Sequence, residues 1–143
     1  MEKKMIGRFD RADFPDLQLN DISIKIDTGA YTSSIHCDNI IEVDEVLKCT
    51  FLDEEHPLYN GKEFVFNDYD VVFVRSSNGI VQKRYQIQSK IKLFDHIYKI
   101  SLSLAARQEM RFPVLLGRKF LTKKFIVDTE YFDVSFNAKT QWT

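Results

Sequence analysis

The stretch Ile22-Ser23-Ile24-Lys25-Ile26-Asp27-Thr28-Gly29-Ala30 decides how the rest of the chain is read. Isoleucine alternates with Ser and Lys over residues 22–26, the period of a strand with one buried face. That strand runs directly into Asp-Thr-Gly. Gly29 permits backbone angles that other residues resist, so the chain can fold back closely beside the Asp27 carboxylate. Thr28 can hydrogen-bond within the turn or across to a partner's turn, and the small Ala30 leaves room above it. Taken alone, Asp-x-Gly is more often an ordinary turn than a site.

A second stretch answers the first. Phe112-Pro113-Val114-Leu115-Leu116-Gly117-Arg118 reads as a short apolar strand that ends at glycine, with a helix over residues 118–123 immediately after it. Taken alone it is a core strand with a glycine break. Further strands are expected over 64–66, 70–74, 80–91, 97–104, 125–127 and 132–136. Ser76-Ser77-Asn78-Gly79 marks a hairpin tip, with Asn-Gly favouring a type I′ turn. Residues 53–60, with Pro57 inside, read as a loop, and a second helical turn is allowed at 105–109. Many short strands and about one helix indicate a β-barrel or sandwich.

The chain has 143 residues, which suits one domain spanning 1–143. Twelve Phe against five Gly and three Pro favour a packed, β-rich core. The formal net charge of −1 gives no basic field for nucleic acid. Cys37 and Cys49 lack metal-ligand spacing and read as buried thiols. The opening Met1-Glu2-Lys3-Lys4-Met5-Ile6-Gly7-Arg8 has no apolar segment after its lysines, so no signal peptide is expected. No apolar run approaches the roughly 18 residues of a membrane span. A cytoplasmic location without membrane or nucleic-acid partners is the expectation.

Together and in this order, residues 22–34 and 112–121 resemble the retropepsin-like aspartic proteases. In those enzymes an apolar-Asp-Thr-Gly-Ala turn lies beside a later apolar-apolar-Gly-Arg element that leads into a helix. Much of the chain is similar to one bacterial and archaeal branch in particular. The similarity lies in Lys25-Ile26-Asp27-Thr28-Gly29-Ala30, Thr32-Ser33-Ser34-Ile35-His36, the run 103–118, Phe125-Ile126-Val127-Asp128 and the opening Ile6-Gly7-Arg8. That branch is labelled "ATP-dependent zinc protease" and is of the RimK-associated type, found near ATP-grasp ligases of the ribosomal-protein glutamylation kind. The resemblance implies an all-β, retropepsin-like (acid protease) closed barrel, a single lobe with one short helix in its C-terminal half. It implies a catalytic Asp27, an active-site turn of Thr28, Gly29 and Ala30, and supporting roles for Ser33, Gly117 and Arg118.

The label's zinc and ATP find no support in the residues. There is no His-Glu-x-x-His and no paired-Cys motif, and His36, His56 and His96 are scattered. The five glycines lie too far apart for a phosphate loop. No cofactor and no metal are therefore expected, although His36 could approach the turn.

Aspartic-protease chemistry needs two carboxylates, and this pattern supplies one. Val127-Asp128-Thr129-Glu130 echoes the first motif, but Glu130 stands in the glycine position, which argues against the same turn. A homodimer would supply the second Asp27 through a two-fold axis. Viral members place an acid after the Ala where this chain has Tyr31, so Arg118 lacks its usual partner. The hairpin over 71–91 is the natural flap, and its Arg75, Lys83 and Arg84 would favour an acidic peptide if they faced the cleft. Two other readings stand beside the aspartic endopeptidase: a non-catalytic peptide-binding module on the same fold, and a metal-dependent hydrolase.

Overall fold

Alternation sets the faces of the central strands. In β3 (Leu19–Ile26) Ile22, Ile24 and Ile26 are buried while Lys25 is exposed. In β2 (Phe9–Phe14) Asp10, Ala12 and Phe14 are buried and the residues between them are partly covered. Each large aliphatic side chain so buried contributes roughly 1.5–3 kcal/mol. The computed structural model describes residues 2–75, 78–106 and 111–139.

The remaining strands are β1 (Lys4–Ile6), β4 (Ser33–Val43), β5 (Val46–Phe51), β6 (Glu63–Phe66), β7 (Asp70–Arg75), β8 (Val81–Leu93), β9 (His96–Ala105), β10 (Val114–Leu116) and β11 (Phe125–Val127). Two short helices, α1 (Arg118–Leu121) and α2 (Val134–Ala138), lie in the C-terminal part. Going round, β3 pairs β2, β2 pairs β8, β8 pairs β9 and β9 pairs β4. The short β10 then pairs with β3 on one side, parallel, and with β4 on the other, antiparallel. That double pairing closes a six-stranded barrel, as the retropepsin-like reading expects. The barrel interior holds Phe14, Ile22, Ile24, Ile35, Ile87, Ile91, Leu102, Val114 and Leu116 among others.

Two extensions leave the ring. The outer half of β4 carries β5 and β6, with Phe51, Phe64 and Phe66 in contact with one another on the covered face. Among the described residues β7 pairs only with the first half of β8, forming a hairpin whose Phe73 is 70% exposed. Two hairpin turns use left-handed residues without glycine: Asp44-Glu45 between β4 and β5, and Phe94-Asp95 between β8 and β9. At the other hairpin tip Ser76 and Ser77 lie outside the described residues, and Gly79 has φ of +85°.

The close of the chain differs from the sequence expectation. The alternation Phe132-Asp133-Val134-Ser135-Phe136 predicts a strand, yet residues from Val134 form α2. The cause is a distant carboxylate. Buried Asp10 accepts the backbone N–H of Ser135 (2.9 Å) and of Phe136 (3.1 Å), satisfying the first-turn donors that a strand would not present together. Burial pushes the Asp10 carboxyl up, and these backbone bonds pull against that shift. The helical turn allowed at 105–109 falls largely outside the described residues, and Ala105 itself ends β9.

Candidate active site

The Asp27 turn is fixed from three sides. β3 delivers it, and the parallel neighbour β10 takes its first backbone bond, from Asp27 N to Leu116 O (2.9 Å). The chain then folds back: Ala30 N reaches Asp27 O (3.2 Å), and Gly29 N donates to Asp27 Oδ1 (3.1 Å). Asp27 is half-buried, and its other carboxylate oxygen makes no hydrogen bond to a described residue.

Gly117 and Arg118 supply the third side. A Cβ on Gly117 would lie 2.5 Å from Thr32 O and 2.7 Å from Tyr31 O, so only glycine lets the two chain segments cross this closely. Its N–H is taken by the buried Ser33 hydroxyl (3.0 Å). Arg118 N donates to Ala30 O (2.9 Å), and the Arg118 guanidinium Nη1 donates to Thr28 O (2.9 Å). The guanidinium also lies 5.8 Å from the Tyr31 ring centroid. A backbone carbonyl and an aromatic face thus occupy the place of the absent acid. The residues Asp27, Thr28, Gly29, Ala30, Ser33, Gly117 and Arg118 therefore come together at one turn.

Gly29 has a different reason from the one expected. Its φ is not positive, so no special backbone angle calls for glycine. What calls for it is room: a Cβ would sit 3.3 Å from Asp27 Oδ1.

The sequence echo at Asp128 proves to be a second turn of the same build. Asp128 N donates to Ile6 O (2.9 Å), Glu130 N to Asp128 Oδ1 (3.0 Å) and Tyr131 N to Asp128 O (3.2 Å). The crossing element is Ile6-Gly7-Arg8, reached by the parallel pairing of β1 with β11. A Cβ on Gly7 would lie 2.1 Å from Tyr131 O. Arg8 N donates to Tyr131 O (2.9 Å), and Arg8 Nη1 donates to Thr129 O (3.3 Å). The Asp N–H, the Arg N–H and the Arg guanidinium bonds of the Asp27 turn each have a counterpart here, whereas the Ser33 hydroxyl bond to Gly117 N is shown for the Asp27 turn alone. The expectation that Glu130 forbids the turn is corrected, because the position needs no positive φ. The signal was present in the sequence as a second pairing of apolar-Gly-Arg with apolar-Asp-Thr.

The two turns touch through one residue, since Arg8 O also accepts Ile26 N (3.0 Å). Beside them lies a groove of about 500 Å³ with Arg8, Lys25 and Arg111 around Phe9, Phe112 and Leu115. Sequence reasoning missed this basic group and pointed to the hairpin instead. There the register puts Arg75 and Lys83 on one face and Arg84 on the other, so the three cannot act together. The base of that hairpin is tied to β4: Glu42 accepts the hydroxyls of Tyr69 and Tyr85. That bond from Tyr69 holds Glu42 below the usual carboxylate range and pushes Tyr69 up to about 12.

His36 is turned away from the turn. It is buried, with Nδ1 3.1 Å from Ala105 O and Nε2 3.0 Å from Asp53 Oδ2, so it anchors the loop after β5. Among the described residues no three His, Cys, Asp or Glu side chains are grouped to hold a metal ion. No helix among them is long and apolar enough to cross a membrane.

Comparison with known proteins agrees with the retropepsin-like barrel. A family model described as RimB-like, "Retropepsin-like aspartic endopeptidase RimB", matches residues 5–134. A Shewanella halifaxensis protein named "Probable alpha-L-glutamate ligase" is 35% identical over 130 residues, covering 88% of this chain and 28% of its own length. A protein of the same name from Parasynechococcus marenigrum is 34% identical over 134 residues, covering 90% of this chain and 28% of its own length. The chain thus spans just over a quarter of the length of these curated relatives. The crystal structure of Lpg0085, a Legionella pneumophila protein of unknown function (DUF785), superimposes with a TM-score of 0.70 at 26% identity. That match covers 94% of this chain and 99% of the other.

Proposed function

The chain belongs to the RimB-like family of retropepsin-like aspartic endopeptidases, and from that premise we propose that it hydrolyses peptide bonds as a homodimer. The observation that carries this reading is the Asp27 turn itself. It is a half-buried carboxylate with one oxygen unengaged by any described residue, in a turn held by Gly117 and Arg118. Two such turns facing across a two-fold axis would share one proton, because adjacent carboxylates cannot both ionise. The ionised Asp27 takes a proton from the attacking water, while the protonated Asp27 of the second copy donates to the carbonyl oxygen. The Thr28 hydroxyl, which makes no hydrogen bond to a described residue, is free to bond the opposite turn.

The substrate in this reading is an acidic peptide. The groove of Arg8, Lys25 and Arg111 begins two residues before Asp27 and offers three cations over an apolar floor. That combination suits side chains with a methylene stem and a terminal carboxylate. The names of the longer relatives, glutamate ligases, agree with it. The hairpin of β7 and β8 serves as the flap.

The test incubates a peptide pool enriched in Glu with wild type and Asp27→Asn, alongside solution-mass measurement. Cleavage by wild type alone, from a species of twice the chain mass, is expected. Cleavage that survives in Asp27→Asn would overturn the assignment.

A further inference from the structure

Behind the Asp27 turn, on the outer side of the barrel, lies a cavity of about 100 Å³ that the reaction does not use. Its lining draws on four separate elements: Thr32 beside β4, Gln86 from β8, Lys99 and Ser101 from β9, and Lys119 and Lys124 from α1 and the segment after it. Three lysines therefore surround one small space, and no carboxylate of a described residue lines it. Among the described residues Lys99, Lys119 and Lys124 enter no ion pair. Lys124 donates instead to Phe120 O (2.9 Å).

This local excess is not the charge of the molecule as a whole, whose formal net charge is −1. Like charges gathered at one cavity repel, and the repulsion is relieved by a bound anion. Thr32 and Gln86, both polar, also line it. Size limits the occupant. Pockets for organic ligands run to roughly 300–1,000 Å³, so a nucleotide or peptide does not fit, whereas a single ion does.

We propose that this cavity binds a small tetrahedral oxyanion of the inorganic phosphate type. The bound ion bridges β8, β9 and α1 to the residue that follows the Asp27 turn. Because Lys119 N also donates to Tyr31 O (2.9 Å), the ion fastens the same crossing that holds the turn. The proposal does not depend on peptidase activity.

Thermal unfolding of the full chain tests it, with inorganic phosphate compared against chloride at equal ionic strength. At about 10 mM phosphate the wild type is expected to gain about 3 °C in Tm. The double variant Lys99→Met/Lys119→Met keeps the apolar stems of two exposed side chains and removes their charges, so it folds and gains nothing. Phosphate also stabilises proteins generally by exclusion from their surfaces. An equal gain in wild type and variant would mark that general effect and overturn the site, as would no gain in the wild type.

Discussion

The turns at Asp27 and Asp128 share a backbone and differ in what stands on it. In both, the Asp N–H meets the carbonyl two residues before an arginine, the Asp side chain takes the N–H two residues on, and that arginine grips the Thr carbonyl. At Asp27 the next positions are Gly29 and Ala30; at Asp128 they are Glu130 and Tyr131. The residues after Asp27 are small, while those after Asp128 are a long acid and an aromatic ring, although both aspartates are half-buried. Arg118 pairs with one ring, Tyr31. Arg8 lies near two, 5.5 Å from the Phe9 ring centroid and 5.2 Å from that of Phe132. The lesson is that the crossed Gly-Arg scaffold is a way to hold an aspartate, and the size of the two residues that end the turn is what differs between the candidate site and its copy.

The largest expected effect separates the two carboxylates by function. Asp27→Asn should lower peptide hydrolysis by at least about 10³-fold, whereas Asp128→Asn should keep it within about threefold, read from initial rates. An equal loss in both variants would break the distinction.

Next come the glycines, which should behave alike. Gly7→Ala and Gly117→Ala each force a Cβ against backbone oxygen, at 2.1 Å and 2.5 Å, and should cost at least about 3 kcal/mol in denaturant unfolding. Gly29→Ala meets only the Asp27 Oδ1 at 3.3 Å, so it should fold and lose activity instead.

The arginines sharpen the comparison further. Arg118→Lys and Arg8→Lys each lose a charge-assisted bond to a Thr carbonyl, worth about 1–2 kcal/mol. Arg118→Lys should lower kcat because it loosens the Asp27 turn. Arg8→Lys should chiefly raise KM for Glu-containing peptides, because Arg8 lines the groove.

The smallest effect is a pH slope. Asp10 anchors α2, which follows the Asp128 turn, and burial raises its carboxyl above 3.8. The folded state therefore holds that proton more tightly than the unfolded chain does. Its contribution is fully present below 3.8 and is lost as pH rises through the raised folded value. The stability of wild type relative to Asp10→Asn should fall as pH rises across that interval, measured by unfolding at stepped pH.

Much of this was legible in the sequence where local pattern and geometry coincide. The alternation of Ile22, Ile24 and Ile26 fixed the face of β3, and Leu116-Gly117-Arg118 marked the element that crosses the turn. What stayed hidden depended on contacts distant in sequence. Asp10 turns residues 134–138 into a helix from well over a hundred positions away. β4 and β5 were not singled out because their turn, Asp44-Glu45, adopts left-handed angles without the Asn-Gly signal. The second turn was missed because glycine was taken to mean an unusual φ, when at position 29 it means space.

The double pairing of β10 also bears on how the chain reaches its fold. Until residues 114–116 are in place, β3 and β4 each present an edge where β10 belongs. Likewise β1 has no strand partner until residues 125–127 arrive. During synthesis, an otherwise assembled set of barrel strands would wait with open, apolar-backed edges, the condition under which nascent β domains associate wrongly. Closure would come in one late step that completes both aspartate turns together. Partly made chains would therefore depend on chaperones, and loss of residues from Val114 onward would yield aggregation rather than a smaller stable barrel.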